Sequence, residues 1–137
     1  MTRQGEESKD ELVKRDLGVQ LIIELYDCDR SVLDDCQQVE RIMLLTAESS
    51  GATIINHCFH KFTPCGVSGV VVIAESHLAI HTWPELGYCA VDLFTCGESV
   101  DTSRAIAVLK EGMKSREEKV FRLARGLKNR NLDSISI

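Results

Sequence analysis

The chain has 137 residues, 16 basic and 21 acidic, for a formal net charge of −5. That length suits one domain, and the acidic balance argues against nucleic acid or an anionic membrane as the main partner. No apolar run approaches the roughly 18–20 residues of a membrane span, and residues 1–16 are charged and lack the apolar stretch of a signal peptide, so the expected location is the cytoplasm. Residues 1–16 read as a charged, flexible tail, and 19–26 (VQLIIELY) as the first strand. Asp29 or Ser31 then caps a helix to about residue 50, with Val32, Cys36, Val39 and Met43 in one stripe and Gly51 as its stop. Strands follow at 53–62, 66–74, 77–83 (ended by Pro84) and 88–95. A second helix starts at Asp101 or Thr102 and runs to about residue 115, with Ala105, Leu109 and Met113 along one side. A last strand covers 118–124, and 126–137 reads as a polar tail, leaving 17–125 as the folded domain.

The strands are too closely spaced for parallel crossovers. The pattern therefore predicts an α+β fold: a two-layer sandwich in which a mostly antiparallel sheet carries two helices on one face. Val19, Leu21, Ile23 and Leu25 point one way in the first strand, while Ile22 and Tyr26 point the other with Gln20 and Glu24. Val70 and Val72 likewise oppose Val67, Val71 and Ile73. Both faces are substantially apolar, and two helices cover only one, so a second copy of the sheet is the expected cover: a homodimer.

The densest polar cluster is Ala74-Glu75-Ser76-His77-Leu78-Ala79-Ile80-His81-Thr82-Trp83-Pro84-Glu85. On a strand, His77, His81 and Trp83 share a face opposite Leu78 and Ile80, which suits a polar or aromatic ligand. In the next strand Tyr88, Ala90, Asp92, Phe94 and Cys96 share a face. Asp92 there needs a hydrogen-bond partner to sit among apolar neighbours. His77 and His81 lie roughly 13 Å apart by strand rise, too far to share a metal ion, and no metal site is expected. A Ser76–His81–Asp92 hydrolase lacks the Gly-x-Ser-x-Gly elbow, and Gly66-Val67-Ser68-Gly69 fits no phosphate loop. The six cysteines show no CxxC pair. Four or five of them read as small buried hydrophobes.

The run from Gly66 to Glu85, with its Glu75-Ser76-His77-Leu78 core and downstream His81-Thr82-Trp83-Pro84-Glu85, resembles the signature of the prokaryotic S-adenosylmethionine decarboxylase proenzymes. Tyr88, the Asp92-Leu93-Phe94-Thr95-Cys96-Gly97 stretch, Leu17-Gly18, Glu24 and Tyr26-Asp27-Cys28-Asp29 extend it over roughly residues 17 to 115. The chain departs from the usual pattern at Gln20, where the family often has histidine, and at Ala74, where it often has serine.

The resemblance implies self-cleavage between Glu75 and Ser76 into fragments 1–75 and 76–137. The Ser76 hydroxyl attacks the preceding carbonyl and the amide becomes an ester; elimination leaves a dehydroalanine, which tautomerises to an imine, and water releases ammonia to give a pyruvoyl group as the covalent cofactor. His81, as proton acceptor, and Ser68 are implied in processing. The pyruvoyl ketone holds the substrate as a Schiff base and takes up the electrons of decarboxylation, and Cys96 is implied as the proton donor to the carbanion. Phe62, Trp83 and Glu85 match positions near the substrate, aromatic faces suiting both adenine and a sulfonium. The implied reaction converts S-adenosylmethionine to its decarboxylated form and CO2 for polyamine (spermidine) synthesis. Two alternatives stand beside it: a pyruvoyl-dependent arginine or ornithine decarboxylase on the same scaffold, and a non-catalytic regulatory homologue.

Overall fold

The computed structural model describes residues 17–96 and 99–126. The tail expected at 1–16, and all but the first residue of the one expected at 126–137, lie outside the described residues. In chain order the elements are β1 (Gly18–Tyr26), α1 (Arg30–Leu33), α2 (Cys36–Ser49), β2 (Ile54–Lys61), β3 (Val67–Ile73), β4 (Ser76–Trp83), β5 (Tyr88–Thr95), α3 (Thr102–Met113) and β6 (Glu117–Arg125). A single turn of 3-10 helix, Pro84–Leu86, joins β4 to β5. The six strands form one sheet in the order β2-β3-β4-β5-β1-β6, every neighbouring pair antiparallel. The α+β sandwich expected from the spacing is the fold found.

The first helix differs from the expectation. The apolar stripe from Val32 to Met43 reads as one helix, yet the chain breaks at Asp34 and Asp35 into α1 and α2. Two interactions cause the break, one local and one tertiary. Asp35 accepts from the Gln37 and Gln38 N–H groups, each at 3.1 Å, and so caps a new helix. Asp34 instead reaches across to the Gly66 N–H at 2.9 Å and to Lys61 Nζ at 3.1 Å. That backbone donor and the lysine hold its carboxyl below the usual carboxylate range. Three helices, not two, therefore cover the sheet.

The core lies between sheet and helices. Leu21, Ile23, Leu25, Val71, Ile73, Leu78, Ile80, Val91 and Leu93 are buried on the covered face, against Val39, Met43, Leu109 and Met113 from α2 and α3. Each strand delivers alternate residues to this face, as its sequence pattern requires. The two long helices approach closely because α3 carries Gly112: a Cβ there would lie 2.6 Å from Ile42 Cγ2. Only Cys28 and Cys89 are buried; Cys36 and Cys65 are half-buried and Cys58 and Cys96 exposed. The expectation of four or five buried thiols fails because Cys58 faces outward on the edge strand β2, Cys96 follows the end of β5, and Cys36, at the start of α2, and Cys65, in the β2–β3 loop, are only half-buried. No described helix is long and apolar enough to cross a membrane.

Thr82 joins the layers through its buried hydroxyl, which donates to Leu33 O at 2.8 Å and accepts from Val67 N at 2.9 Å. Thr82→Val strips both buried backbone groups of these partners, and each buried polar group left unpaired costs about 1–3 kcal/mol. Urea denaturation should show the variant destabilised by that order with an unchanged m-value.

Candidate active site

The β3–β4 hairpin turns through only two residues, Ala74 and Glu75, and Ile73 pairs with Ser76 at its mouth. Three hydrogen bonds pin this tip. Ala74 N donates to Thr53 O at 2.8 Å, and Cys96 N donates to the carbonyl oxygen of Glu75 at 3.1 Å. The Glu75 carboxylate turns back to accept from Thr53 N at 3.2 Å. Ser76 then begins β4 with φ of +155°, a backbone conformation that residues with a side chain rarely adopt. Its hydroxyl lies 3.3 Å from Nδ1 of His77. Across the ladder Ser76 faces Thr95, whose Oγ1 is buried with no hydrogen-bond partner. Cys96 follows Thr95 as an exposed free thiol, while Gly97 lies outside the described residues.

Ser68 and His81 form a second constellation. They are cross-strand partners on the open face, with Ser68 Oγ 2.8 Å from His81 Nδ1. A concavity of about 370 Å³ opens there, lined by Cys58, His60, Ser68, Gly69, Val70, Ala79 and His81. Further toward the same end of the sheet come the exposed side chains of Phe62, Trp83 and Glu85. Trp83 stacks on Tyr88 with ring centroids 5.3 Å apart, and Tyr88 on Tyr26 at 5.4 Å. The Tyr88 hydroxyl donates to Glu24 at 2.6 Å. Burial, then that bond, pushes the Tyr88 phenol above its ordinary range. Glu85 accepts from the Cys65 thiol at 3.7 Å.

The residues expected to act together thus fall into two groups. Glu75, Ser76 and Cys96 meet at the hairpin tip. Ser68, His81, Phe62, Trp83 and Glu85 gather toward the other end. His81 stands five residues along β4 from Ser76, roughly 16 Å by strand rise. Within one chain His81 therefore does not reach Ser76, and no Ser76–His81–Asp92 triad forms. Asp92 has the partner it needs: Gln20 Nε2 lies 3.4 Å from it, while Gln20 Oε1 accepts from Arg125 at 2.6 Å.

Two residues at the tip escaped the sequence reading. Strand alternation puts His77 on one face with His81, yet its ring touches Ser76, its neighbour in sequence. Thr95 gave no signal beyond its place before Cys96.

The sequence profile of the S-adenosylmethionine decarboxylase family matches residues 19–126. The S-adenosylmethionine decarboxylase proenzyme of Pseudomonas aeruginosa is 54% identical over 120 residues, covering 88% of this chain and 75% of that protein. The proenzyme of Thermotoga maritima is 54% identical over 112 residues, covering 82% and 86%. Among solved structures, the adenosylmethionine decarboxylase of Aquifex aeolicus superposes with a TM-score of 0.77 at 28% identity, over 87% of this chain and 98% of that one. The Trypanosoma brucei AdoMetDC-delta26 monomer shares the fold at a TM-score of 0.58 and 16% identity, over 77% of this chain and 45% of that one. A profile that spans both constellations, and relatives above half identity across most of the chain, establish that this chain belongs to the S-adenosylmethionine decarboxylase family.

Proposed function

We propose that this chain cleaves itself before Ser76, converts that serine to a pyruvoyl group, and as a cytoplasmic homodimer decarboxylates S-adenosylmethionine for polyamine synthesis. One observation carries the reading. The carbonyl of Glu75 is held by the Cys96 N–H at 3.1 Å, beside a serine whose φ is +155°. A carbonyl so held is polarised for attack, and the N–H is in position for the negative charge that develops on its oxygen. The buried, unpartnered Thr95 hydroxyl facing Ser76 leaves a hydrogen bond to be made in this space as well. The residues present fit a serine-derived pyruvoyl group.

When formed, that group supplies a carbonyl that takes up the electrons released as the carboxyl group leaves. The chain's own residues do the rest. Ser76 Oγ attacks the Glu75 carbonyl carbon and the amide becomes an ester. A base then removes the Ser76 α-proton, the new main-chain carboxylate of Glu75 departs by elimination, and water displaces ammonia from the imine that follows. Ser68 and His81, already bonded to each other, suit that second step, but they lie far from Ser76 of their own chain. Our reading therefore takes them from a second copy, with the open sheet faces apposed about a two-fold axis. Such an interface is isologous, so each protomer lends Ser68, His81, Phe62, Trp83 and Glu85 and borrows the same set. Phe62 and Trp83 offer faces for adenine and the sulfonium, and Glu85 a carboxylate for the ribose hydroxyls. Cys96, exposed beside Ser76, is suited to return a proton to the substrate α-carbon.

Intact-mass measurement should find fragments 1–75 and 76–137, the latter blocked to N-terminal sequencing. Ser76→Ala should remain whole and inactive. A wild-type chain that stays whole on long incubation contradicts the self-cleavage reading.

The shared site makes a sharper forecast. Ser76→Ala and His81→Ala chains should each stay uncleaved alone. In hybrids, the His81→Ala chain should cleave, because its Ser76 meets His81 of its partner. A mixture that stays whole returns His81 to its own chain or removes it from processing.

Cys96→Ala should still cleave, because the Cys96 backbone N–H is retained. Decarboxylation should slow by about 10²–10⁴-fold, the usual cost of losing a general acid, and turnover should decay as misprotonation converts the N-terminal group to alanine. A cleaved variant with the wild-type rate would make Cys96 a structural thiol.

A further inference from the structure

We infer that His77 is the base of the first processing step: its Nδ1 takes the Ser76 hydroxyl proton as Oγ attacks Glu75 and then hands that proton to the departing amide nitrogen. The inference rests on the self-cleavage reading and adds a residue to it. A serine hydroxyl is a weak nucleophile until a neighbouring group accepts its proton. Among the described residues, His77 Nδ1, at 3.3 Å, is the hydrogen-bond partner of Ser76 Oγ. A general base has to stand within such reach of the proton that it takes, and contacts of this kind tighten on the way to the transition state.

The other candidates are occupied or distant. The Glu75 carboxylate is bonded to Thr53 N at 3.2 Å. His81 is bonded to Ser68 at 2.8 Å and lies roughly 16 Å along the strand. His77 is fixed on its other side by Phe94, with ring centroids 5.9 Å apart. Its backbone pairs with Val72 and Phe94 in the middle of the sheet, which sets where the ring stands relative to Ser76.

The step balances without any added reagent. Ser76 Oγ bonds to the Glu75 carbonyl carbon as its proton moves to Nδ1, and the carbonyl π pair moves onto the oxygen, where the Cys96 N–H receives it. The oxyanion collapses, the carbon–nitrogen bond breaks, and the nitrogen takes the proton from Nδ1. The product is an ester with a free amine on Ser76 and a neutral imidazole again. The two histidines then have separate tasks: His77 acts within its own chain on the hydroxyl proton, and His81 on the α-proton.

Hydroxylamine separates the two steps, because it cleaves an ester and spares an amide. In full-length His81→Ala protein, where elimination stalls, hydroxylamine should cut between Glu75 and Ser76 at a rate set by ester formation. Adding His77→Ala should slow that cut by about 10²–10⁴-fold, and free imidazole should restore part of it. His77→Asn, which keeps a hydrogen-bonding side chain but no base, should be as slow as alanine and respond to imidazole in the same way. Thermal melting on each variant checks the fold. A His77→Ala chain that cuts at the parent rate overturns the inference and leaves self-cleavage standing. So does a slowed chain that imidazole fails to rescue in both variants, which makes His77 structural. If wild type stays whole and hydroxylamine cuts neither it nor His81→Ala, the self-cleavage reading falls, and this inference falls with it.

Discussion

The hydrogen bond from Cys96 N–H to the Glu75 carbonyl is the constraint on which the rest of the site depends. It ties the tip of the β3–β4 hairpin to the end of β5, so the bond before Ser76 cannot swing away from the groups around it. The register on either side enforces it, with Ser76 paired to Ile73 and to Thr95. Beneath it lie the buried Ile73, Leu78 and Leu93. A non-glycine residue held in a sparsely populated backbone region costs about 1–3 kcal/mol, and a buried hydroxyl without a partner costs a similar amount. Against a net stability of about 5–15 kcal/mol for a small domain, these are substantial. They persist because the strand ladders and the apolar layer below leave Ser76 no other place. In the self-cleavage we propose, cutting the chain on the N-terminal side of Ser76 would free the strained torsion, so the strain would favour the cut.

The same alternation that builds the core divides the chemistry. Residues on the covered face of β4, such as Leu78 and Ile80, are sealed under the helices, while His77, His81 and Trp83 share the open face. The length of the strand then separates them. One end carries the Glu75–Ser76 bond and the Cys96 thiol, and the other carries the bonded Ser68–His81 pair with its neighbouring aromatic side chains. A strand is stiff, so no side-chain rotation closes a gap of roughly 16 Å. Two antiparallel copies facing each other across a two-fold axis would close it twice, which is the physical ground for the composite site.

The sequence was most informative where one physical rule acted alone. Period-two alternation puts Val19, Leu21, Ile23 and Leu25 on one face of β1 and Tyr88, Ala90, Asp92 and Phe94 on one face of β5, and both groupings hold in the sheet, whose register then sets them on opposite faces. It misled where tertiary partners overrode the local pattern. Nothing near Asp34 announces that its carboxylate will leave the helix for Gly66, 32 residues later, and that Asp35 will cap afresh. The site shows the same division. The motif around Ser76 named Glu75, Ser76, Ser68, His81 and Cys96 together, because a motif lists residues without distances. The separation of Ser68 and His81 from the rest, the contact of His77 with Ser76 and the orphaned hydroxyl of Thr95 depend on register and burial, which no spacing in the sequence encodes.

The proposed division of the machinery between two chains has a chemical consequence. Exchange of the amide for an ester before Ser76 is a reversible isomerisation, and in the absence of further reaction the amide is the favoured form. A chain that holds only its own Ser76, His77 and Cys96 can therefore visit the ester and return unharmed. The irreversible step is removal of the α-proton, and in the proposed assembly the residue suited to it comes from the partner. Commitment then waits for assembly, and the partner that brings His81 brings Phe62, Trp83 and Glu85 as well. The reactive carbonyl would form only where a substrate pocket already surrounds it. Formed on an isolated chain, it would stand at an open sheet end, exposed to any primary amine in solution. In the proposed assembly the strain at Ser76 and the distance to His81 would act in opposite directions: the first would prepare the bond to break, and the second would delay the break until the site that uses the product is complete.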